Sequence, residues 1–375
     1  MRRVLYLTGT RADFGLMQST LQRIHASPEL ELGLLVTGMH LDAHYGNTVC
    51  EVEASGLPIV ARQPVTLRGD DGTAMNQAFA ETLLGATGAL TSFRPDILLL
   101  LGDRGEMLAG AVAALHLSVP VAHMHGGERS GTVDESIRHA ISKLSHFHFA
   151  ATAAARERLI RMGEEAGNVH VTGAVGLDGL RDLTIPDRQT LFEEVGFDPV
   201  RPAALVAFHA VVQQADQAGE QANALMAALS SIAGLQALVL MPNADAGGER
   251  IRTVFAEPRA GFAVKVHLSR EQFCYWLARA DVLVGNSSSG IIEAASFDTP
   301  VVNVGDRQFR RERSANVRDV PGEQDAIANA VKEVLASGRR PVVNVYGDGH
   351  SAPRVVKLLE TLPITPQLMM KSNVY

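Results

Sequence analysis

The segment Ile97-Leu-Leu-Leu-Leu-Gly-Asp-Arg-Gly-Glu106 indicates the fold class of this chain. Five consecutive aliphatic residues end abruptly at Gly102, and the helical pattern Gly105–Leu115 follows at once. A continuous apolar run is typical of a parallel strand that is covered on both faces, whereas a half-exposed strand alternates with polar residues. The segment therefore predicts one strand–turn–helix unit of an α/β sheet.

The same alternation continues in both directions along the chain. The predicted strands are Val4–Leu7, Leu32–Val36, Ile97–Leu101, Val119–His123 and His170–Val171 in the first half, and Ala204–Phe208, Ala237–Leu240, Ala263–Val266, Val282–Val284 and Val301–Val304 in the second. The predicted helices include Leu16–Ile24, Gly105–Leu115, Ala326–Leu335 and Ala352–Leu359. Strands that alternate with helices predict doubly wound parallel sheets with right-handed crossovers.

A chain of 375 residues is too long for one compact core and suits two domains. A boundary is predicted near Gly173–Gly179, before a charged, proline-containing stretch. We therefore expect one Rossmann-like domain over residues 1–176 and a second one over residues 177–352, with a C-terminal helix in residues 353–375 that packs back on the first. A ligand is expected between the domains, where the carboxyl ends of both sheets meet.

Charge and cysteine content limit the classes of function. The 41 acidic residues outnumber the 34 basic ones, and the formal charge of -7 argues against a nucleic-acid or anionic-membrane partner. The two cysteines, Cys50 and Cys274, indicate a reducing compartment without a disulfide framework. The apolar run at the N-terminus stops at Thr8, so it is predicted to be a strand and not a signal peptide. A cytoplasmic location is expected.

Two common phosphate signatures are missing. No GxGxxG follows the first strand, and no GxxxxGK[ST] occurs in the chain. Their absence argues against a nicotinamide dehydrogenase and a P-loop kinase, and no cofactor is expected.

Three strand ends carry residues suited to a diphosphate. Gly285-Asn-Ser-Ser-Ser-Gly290 precedes the helical run Ile291–Ala295, so small residues, hydroxyls and helix N–H groups can meet an anion. Thr8-Gly-Thr-Arg-Ala-Asp-Phe14 contributes Arg11, and Gly305-Asp-Arg-Gln-Phe-Arg-Arg311 contributes Arg307. The alternatives are an ordinary helix cap, an ordinary turn and a solvated charge run.

Acids and histidines gather after two other strands of the first half. Asp103 follows one strand, and the next ends in His123-Met-His125-Gly-Gly-Glu128. Asp134 and Glu135 then open a helix, on which Arg138 lies one turn further and could pair with Asp134. The alternative is helix-stabilising acids beside a core histidine. The histidine spacing matches no zinc template, so no metal is expected.

Taken together, these motifs resemble the hydrolysing UDP-N-acetylglucosamine 2-epimerases over nearly the whole chain. The segments that carry the resemblance are Thr8–Asp13, Val36–Met39, Gly102–Arg104, His123–Glu128, Asp134–His146, Pro242–Asp245, Gly285–Gly290 with Glu293, and Gly305–Gln308. The family implies two Rossmann-like domains of the glycosyltransferase-B type, a UDP-sugar substrate and a homodimer or homotetramer.

By this resemblance each expected role falls on particular residues. The expected UDP-binding residues are Arg11, Ala12, Asp13, Arg104, Asn243, Leu268 through its backbone, Ser287, Ser288, Ser289, Gly290, Glu293 at the ribose hydroxyls, and Arg307. The expected catalytic residues are Asp103, His125, Glu128, Asp134, Glu135 and His209.

The chain also departs from the family pattern. Ala210 stands where the family often has proline after its strand-end histidine, and Arg310 replaces a frequent glycine. His125 stands where non-hydrolysing relatives carry glutamate, and this favours the hydrolysing branch, which releases UDP and N-acetylmannosamine for sialic-acid-type sugars. Four alternatives stay open: a UDP-2,4-diacetamido-trideoxyhexose of the legionaminic acid pathway as substrate, the reversible epimerase, a glycosyltransferase of the same fold, and a non-catalytic UDP-sugar binder.

The expected reaction explains why acids and cations both occur. The hydrogen on carbon 2 of the sugar becomes removable only as UDP leaves and positive charge builds at carbon 1. Cationic donors must then stabilise the diphosphate. Asp103 or Glu128 is the expected base at carbon 2, and the expected groups for hydrating the resulting glycal are His125, Asp134 and Glu135.

Overall fold

The computed structural model describes residues 1–67, 69, 71–130, 133–243 and 245–374, with only the backbone of Arg181. The chain divides into two compact units. The first comprises Met1–Glu128, Val133–Gly179 and Tyr346–Tyr375, and the second comprises Arg129–Thr132 and Leu180–Val345. Each unit has its own sheet.

The strands and helices follow one another along the chain as the alternating pattern predicts. The strands are β1 Arg2–Thr8, β2 Leu30–Thr37, β3 Ile59–Gln63, β4 Ile97–Leu101, β5 Val121–Met124, β6 Phe147–Ala150, β7 Val169–Val171, β8 Ala203–Ala207, β9 Gln236–Leu240, β10 Phe262–Lys265, β11 Val282–Gly285, β12 Val301–Val304 and β13 Val317–Val320. The α-helices are α1 Arg11–Ala26, α2 Val49–Ala54, α3 Gly72–Phe93, α4 Gly105–His116, α5 Val133–Leu144, α6 Ala153–Arg161, α7 Arg188–Glu193, α8 Ala218–Ser230, α9 Gly248–Ala256, α10 Arg270–Arg279, α11 Ser288–Ile292, α12 Gln324–Ser337, α13 Ser351–Thr361 and α14 Pro366–Met369.

The first sheet is parallel and is buried on both faces. Over the described residues its order is β3-β2-β1-β4-β5-β6-β7. Side chains alternate along β1, so Tyr6 joins the apolar cluster on one face, whereas Leu5 and Leu7 join the cluster on the other. The continuous aliphatic run of β4 divides in the same way, which explains why no polar residue interrupts it.

The second sheet repeats this arrangement. Its order, among the residues described, is β10-β9-β8-β11-β12-β13, again parallel throughout. Val206 and Val284 pack on one face, and Leu205 and Leu283 pack on the other. The strand order reverses beside the first strand in both sheets, between β1 and β4 and between β8 and β11. In open α/β sheets, ligands bind at the carboxyl ends of the strands, next to the place where the strand order reverses.

Three strands were not predicted, each for a physical reason. β3 and β13 are edge strands with partly exposed residues, so their sequences lack a continuous apolar run. β6 is fully buried, but the run Phe147-His-Phe-Ala150 contains a polar residue. The helix expected over Ile291–Ala295 is also different: α11 ends at Ile292, and a 3₁₀ turn over Ala294–Phe297 follows.

The C-terminal helix α13 packs against α1 within the first unit. Val355 and Leu359 are buried in the same cluster as Leu21 and Ile24. The Ser27 hydroxyl at the end of α1 also donates to the Glu360 carboxylate at 2.8 Å. Within the described part of the chain, no helix has the length and apolar character that crossing a bilayer requires.

Candidate active site

Three candidate residues of the first unit follow neighbouring strands of its sheet. Arg11 comes after β1, Asp103 after β4 and His125 after β5. These strands are adjacent and parallel, so their carboxyl ends lie at one edge of the sheet, beside the reversal of strand order. The fold therefore brings these residues to the edge where open α/β sheets bind ligands.

The turn after β1 is held by the carboxylate of Asp13. One oxygen accepts from the backbone N–H groups of Gly9 at 3.1 Å and Thr10 at 2.7 Å. The other accepts from the hydroxyl of Thr8, and the Thr10 hydroxyl caps α1 in return. Asp13, expected to contact UDP, thus uses both oxygens to shape the loop that carries Arg11.

Two arginines lie at this edge of the first unit. Arg11 opens α1, and its Nη1 atom is buried without a hydrogen-bond partner among the described residues. Ala12 beside it is exposed. Arg104 precedes α4, with its Nε atom 3.3 Å from a carboxylate oxygen of Glu106. A buried cationic donor that lacks an acceptor can be satisfied by the oxygen of an anionic ligand.

His125 and Glu128 form a buried pair. The Nδ1 atom of His125 lies 3.1 Å from Oε1 of Glu128, and its Nε2 atom accepts from the Val175 N–H at 3.4 Å. Because Nε2 accepts, a neutral ring carries its proton on Nδ1, the ring nitrogen that lies nearest to the Glu128 carboxylate. The backbone φ of His125 is +61°, a conformation that non-glycine residues adopt rarely and that clusters at functional sites.

Arg138, on α5, holds Asp103 and the loop of Glu128 together. Its side chain is 1% exposed, and it forms an ion pair with the carboxylate of Asp103. Its Nη1 atom donates to the backbone carbonyl of Glu128 at 3.0 Å. One buried guanidinium thus fixes two predicted catalytic segments, a contact that spans 35 residues of sequence and that no local motif indicates.

The helix α5 carries further candidate residues and is held at its far end. Asp134 and Glu135 lie in its first turn, and Glu135 lies 3.8 Å from Nε2 of His139. After its last turn, the Nζ atom of Lys371 donates to the carbonyls of Ser142 and Lys143, each at 3.0 Å. A cation at a helix C-terminus stabilises the helix, so the C-terminal segment supports the element that presents these acids.

His123 is structural. Its Nε2 atom lies 2.7 Å from the carbonyl of Gly102, and its Nδ1 atom lies 3.1 Å from the hydroxyl of Ser142. The ring therefore joins the end of β4 to α5, just before Asp103. Burial lowers the pKa of His123 to about 3, so the ring is neutral at physiological pH.

This buried histidine predicts a loss of stability in mild acid. The unfolded chain binds a proton at His123 below about pH 6.5, whereas the folded chain does not until about pH 3. Stability therefore falls as pH drops through this window, by about 2 kcal/mol between pH 7 and pH 5. The free energy of unfolding, measured in urea at both pH values, should fall less in H123Q than in the wild type. H116Q, at an exposed histidine, is the matched control, and equal losses in H123Q and the wild type would contradict the assignment.

In the second unit, the turn after β11 lies against the end of β8. Gly285 has a φ of +142°, and a Cβ atom there would lie 2.1 Å from the carbonyl oxygen of Ala207. Only glycine allows this approach. Asn286 then accepts from the N–H and donates to the carbonyl of His209, both at 2.8 Å. The turn Gly285–Gly290, called the serine turn below, is thus fixed to His209 at the end of β8, beside the reversal of strand order.

The hydrogen bonds of His209 determine which ring nitrogen can donate. Its Nδ1 atom accepts from the backbone N–H of Asn243 at 3.3 Å. A neutral ring therefore carries its proton on Nε2, which can donate to an anion. The side chain of Asn243 donates to the carboxylate of Asp245 at 2.7 Å.

The serine turn presents hydroxyls next to a cation. Ser287 caps α11, and the Ser289 hydroxyl donates to the Ser287 hydroxyl at 2.9 Å. Ser288 is partly exposed, whereas Gly290 is buried. A Cβ atom at Gly290 would lie 3.0 Å from side-chain atoms of both Leu283 and Val301, which is a tight contact. The Arg307 guanidinium donates to the carbonyl of Asn286 at 3.3 Å. Because α11 has 5 residues, local N–H groups and hydroxyls matter here more than a long helix dipole.

Glu293 is a buried acid with one satisfied oxygen. Its Oε1 atom lies 2.9 Å from Nη1 of Arg270, whereas its Oε2 atom is buried and has no hydrogen-bond partner among the described residues. Leu268, two residues before Arg270, packs its side chain into the core with Trp276. The arrangement leaves an acceptor oxygen in Glu293 that a hydroxyl donor could satisfy.

The structure thus gathers the predicted residues into one set per unit. The first unit holds Arg11, Ala12, Asp13, Asp103, Arg104, His125, Glu128, Asp134 and Glu135, and the second holds His209, Asn243, Leu268, Ser287, Ser288, Ser289, Gly290, Glu293 and Arg307. Among the described residues, no group of three or more histidine, cysteine or acidic side chains is placed to hold a metal ion.

The chain is similar in sequence to known proteins. Residues 22–360 match the family UDP-N-acetylglucosamine 2-epimerase. The UDP-N,N'-diacetylbacillosamine 2-epimerase (hydrolyzing) of Legionella pneumophila is 48% identical over 378 residues, an alignment that covers 100% of this chain and 100% of the relative. The UDP-N-acetylglucosamine 2-epimerase of Neisseria meningitidis serogroup B is 33% identical over 363 residues, which are 96% of this chain and 95% of the relative.

The fold also matches solved structures. The UDP-GlcNAc 2-epimerase of Methanocaldococcus jannaschii in complex with UDP-GlcNAc and UDP superposes with a TM-score of 0.81 at 18% identity, over 96% of this chain and 99% of that chain. This likeness confirms the predicted class, an α/β fold with two Rossmann-like domains of the glycosyltransferase-B type. Because the family match spans most of the sequence and two relatives exceed 30% identity over nearly all of it, the chain belongs to the UDP-N-acetylglucosamine 2-epimerase family.

Proposed function

We propose that the chain is a hydrolysing UDP-sugar 2-epimerase, which converts a UDP-2-acetamido sugar and water to UDP and the free 2-epimer. The observation that carries the proposal is the buried His125–Glu128 pair, fixed by Arg138 to a second acid, Asp103. A protein that only bound an anionic UDP-sugar would lose affinity through such a cluster of acids. An enzyme that moves protons to and from carbon needs them.

In the first step, a carboxylate removes the hydrogen on carbon 2 while the bond from carbon 1 to the diphosphate oxygen breaks. The bonding electrons of that bond leave with UDP, and a double bond forms between carbons 1 and 2. Asp103 and Glu128 are both candidates for the base. Asp103 forms an ion pair with Arg138, whereas Glu128 lies 3.1 Å from the ring of His125, to which it can pass on the proton that it removes.

In the second step, water adds across the double bond of the 2-acetamidoglucal. A proton reaches carbon 2 from the face opposite to the original hydrogen, and hydroxide adds to carbon 1. The donor and acceptor groups proposed for this step are His125, Asp134 and Glu135. Inverting carbon 2 requires groups on both faces of the sugar, so more than one acid must take part.

The departing diphosphate needs hydrogen-bond donors. Arg11 offers a buried guanidinium nitrogen without a partner, and His209 offers its Nε2–H. The serine turn and Arg307 supply further donors in the second unit. Such preorganised donors stabilise a leaving group more strongly than water does. That both sets act on one substrate stays a prediction from the sequence, as do the homo-oligomeric state and the cytoplasmic location.

For the sugar we favour UDP-N,N'-diacetylbacillosamine, a 2,4-diacetamido-trideoxy sugar, over the UDP-N-acetylglucosamine that the sequence motifs alone favour. The Legionella relative named for the diacetamido sugar is 48% identical, whereas the Neisseria relative named for UDP-N-acetylglucosamine is 33% identical. Both substrates carry the 2-acetamido group and the UDP on which the proposed chemistry depends. The second therefore stays as the alternative candidate.

One experiment tests the reaction and the substrate together. The protein is incubated with each UDP-sugar in deuterated water without an acceptor, and the products are followed by NMR. We expect free UDP and a free 2-epimer with one deuterium at carbon 2, formed at least about tenfold faster from the diacetamido sugar in kcat/KM. An intact, deuterated UDP-sugar would instead indicate the non-hydrolysing reaction. No turnover of either sugar would contradict the proposal and leave a transferase or a binding protein.

A further inference from the structure

The carboxylate of Glu293 is held from one side only. Arg270 lies 2.9 Å from its Oε1 atom, and the two side chains are 18% and 3% exposed. The Oε2 atom is buried and has no partner among the described residues. A buried carboxylate oxygen without a donor is costly, so its persistence indicates a ligand donor that completes it.

Arg270 is itself placed by local structure. It is the first residue of α10, whose N-terminus is closed by a capping box between Ser269 and Gln272. The Ser269 hydroxyl accepts from the Gln272 N–H at 3.2 Å, and the Gln272 side chain accepts from the Ser269 N–H at 3.0 Å. The side chain of Arg270 therefore extends from a helix end whose backbone is held in place by the capping box.

The thiol of Cys274, which lies near Arg270, does not compete with Glu293 for the guanidinium. Burial raises the pKa of Cys274 to about 12, so the thiol is neutral at physiological pH. The pair with Glu293 raises the pKa of Arg270 above its ordinary value, against the effect of burial. The guanidinium consequently stays charged and directs the Glu293 carboxylate.

We propose that Arg270 is a positioning residue, which binds one oxygen of Glu293 so that the other accepts from the ribose hydroxyls of the uridine nucleotide. The inference rests on the proposed function, because it needs UDP at this unit. A 1,2-diol offers two O–H donors to one carboxylate, and an ionised acceptor makes such bonds strong. Without Arg270 the carboxylate is free to turn, and recognition of the ribose is lost.

The test compares two nucleotides on the full-length protein. The dissociation constants of UDP and 2′,3′-dideoxyuridine diphosphate are measured by calorimetry, and their ratio reports the ribose hydroxyls alone. We expect a ratio of about 10 to 100 for the wild type. It should fall to within about threefold of unity in both E293Q and R270Q, with the affinity for the dideoxy nucleotide little changed. R270K, which keeps the charge but not the planar fork, should lie between.

R188Q is the matched control. Arg188 forms an ion pair with Asp281 in the same unit, near the start of β8, and its loss should not alter the ratio. If R270Q weakens both nucleotides equally, Arg270 is only structural and the inference is wrong, although the proposed function stands. A wild-type ratio near unity also overturns the inference. Failure of the wild type to bind UDP overturns the proposed function as well. Should R270Q not fold, R270K decides, since an unchanged ratio in that variant contradicts the inference.

Discussion

Replacing Glu128 by glutamine should lower kcat about a thousandfold, because proton transfer by a positioned group contributes 10²- to 10⁴-fold to a rate. Glu128 is 3% exposed and lies 3.1 Å from Nδ1 of His125. Glutamine has nearly the same volume and keeps an oxygen that can accept from this ring. The substitution therefore removes the negative charge and the basicity while it preserves packing. We expect the affinity for UDP, measured by calorimetry, to stay within about threefold of the wild type.

The control for this variant is E31Q, which changes an acid paired with Arg3 on the surface of the same unit. Its kcat should equal that of the wild type. H125N is the companion variant, because asparagine tolerates the left-handed backbone that His125 adopts, so that loss of the ring is separated from backbone strain. If E128Q keeps more than about a tenth of the wild-type kcat, Glu128 moves no proton in the slow step.

The sequence predicts the fold where burial is uniform and fails where it is not. β4 and β12 are predicted to the residue, because both are buried on both faces and are apolar except for Asn303 in β12. β3 is an edge strand in which exposed residues alternate with half-buried ones, and five residues are too few for that pattern to stand out. Partner strands stabilise such segments, and a window of sequence does not contain its partners.

The same limit applies to the candidate site. The sequence identifies Asp103, Glu128 and the serine turn as candidates because each follows a predicted buried strand. The fold then brings the ends of neighbouring strands together. Arg138, Arg270 and Asn286 act through contacts that span 35, 23 and 77 residues. The residues next to them in the sequence do not indicate these distant partners. The functional roles of Arg138 and Arg270 stay predictions, which substitutions at these two residues test.

Replacing Arg138 by methionine should destabilise the first unit by about 3 kcal/mol and lower kcat about a hundredfold. Arg138 is 1% exposed and holds both the carboxylate of Asp103 and the carbonyl of Glu128. Methionine fills much of the space but donates no hydrogen bond. The variant therefore leaves one mostly buried carboxylate and one buried carbonyl without this donor, and it frees two catalytic segments to move. A displacement of about 1 Å is enough for the predicted kinetic loss.

A double-mutant cycle with D103N separates the ion pair from the rest of this effect. Each single substitution leaves one charge of the ion pair without its partner, whereas R138M/D103N removes both charges. The double variant should therefore be more stable, by about 1–3 kcal/mol, than the sum of the two single losses predicts. The measurement is urea unfolding followed by circular dichroism. R138K, which keeps the charge but cannot span both acceptors, should recover stability more fully than kcat. If the single losses add and R138K restores both properties equally, the guanidinium serves only as a buried charge, and geometry at Asp103 does not depend on its fork.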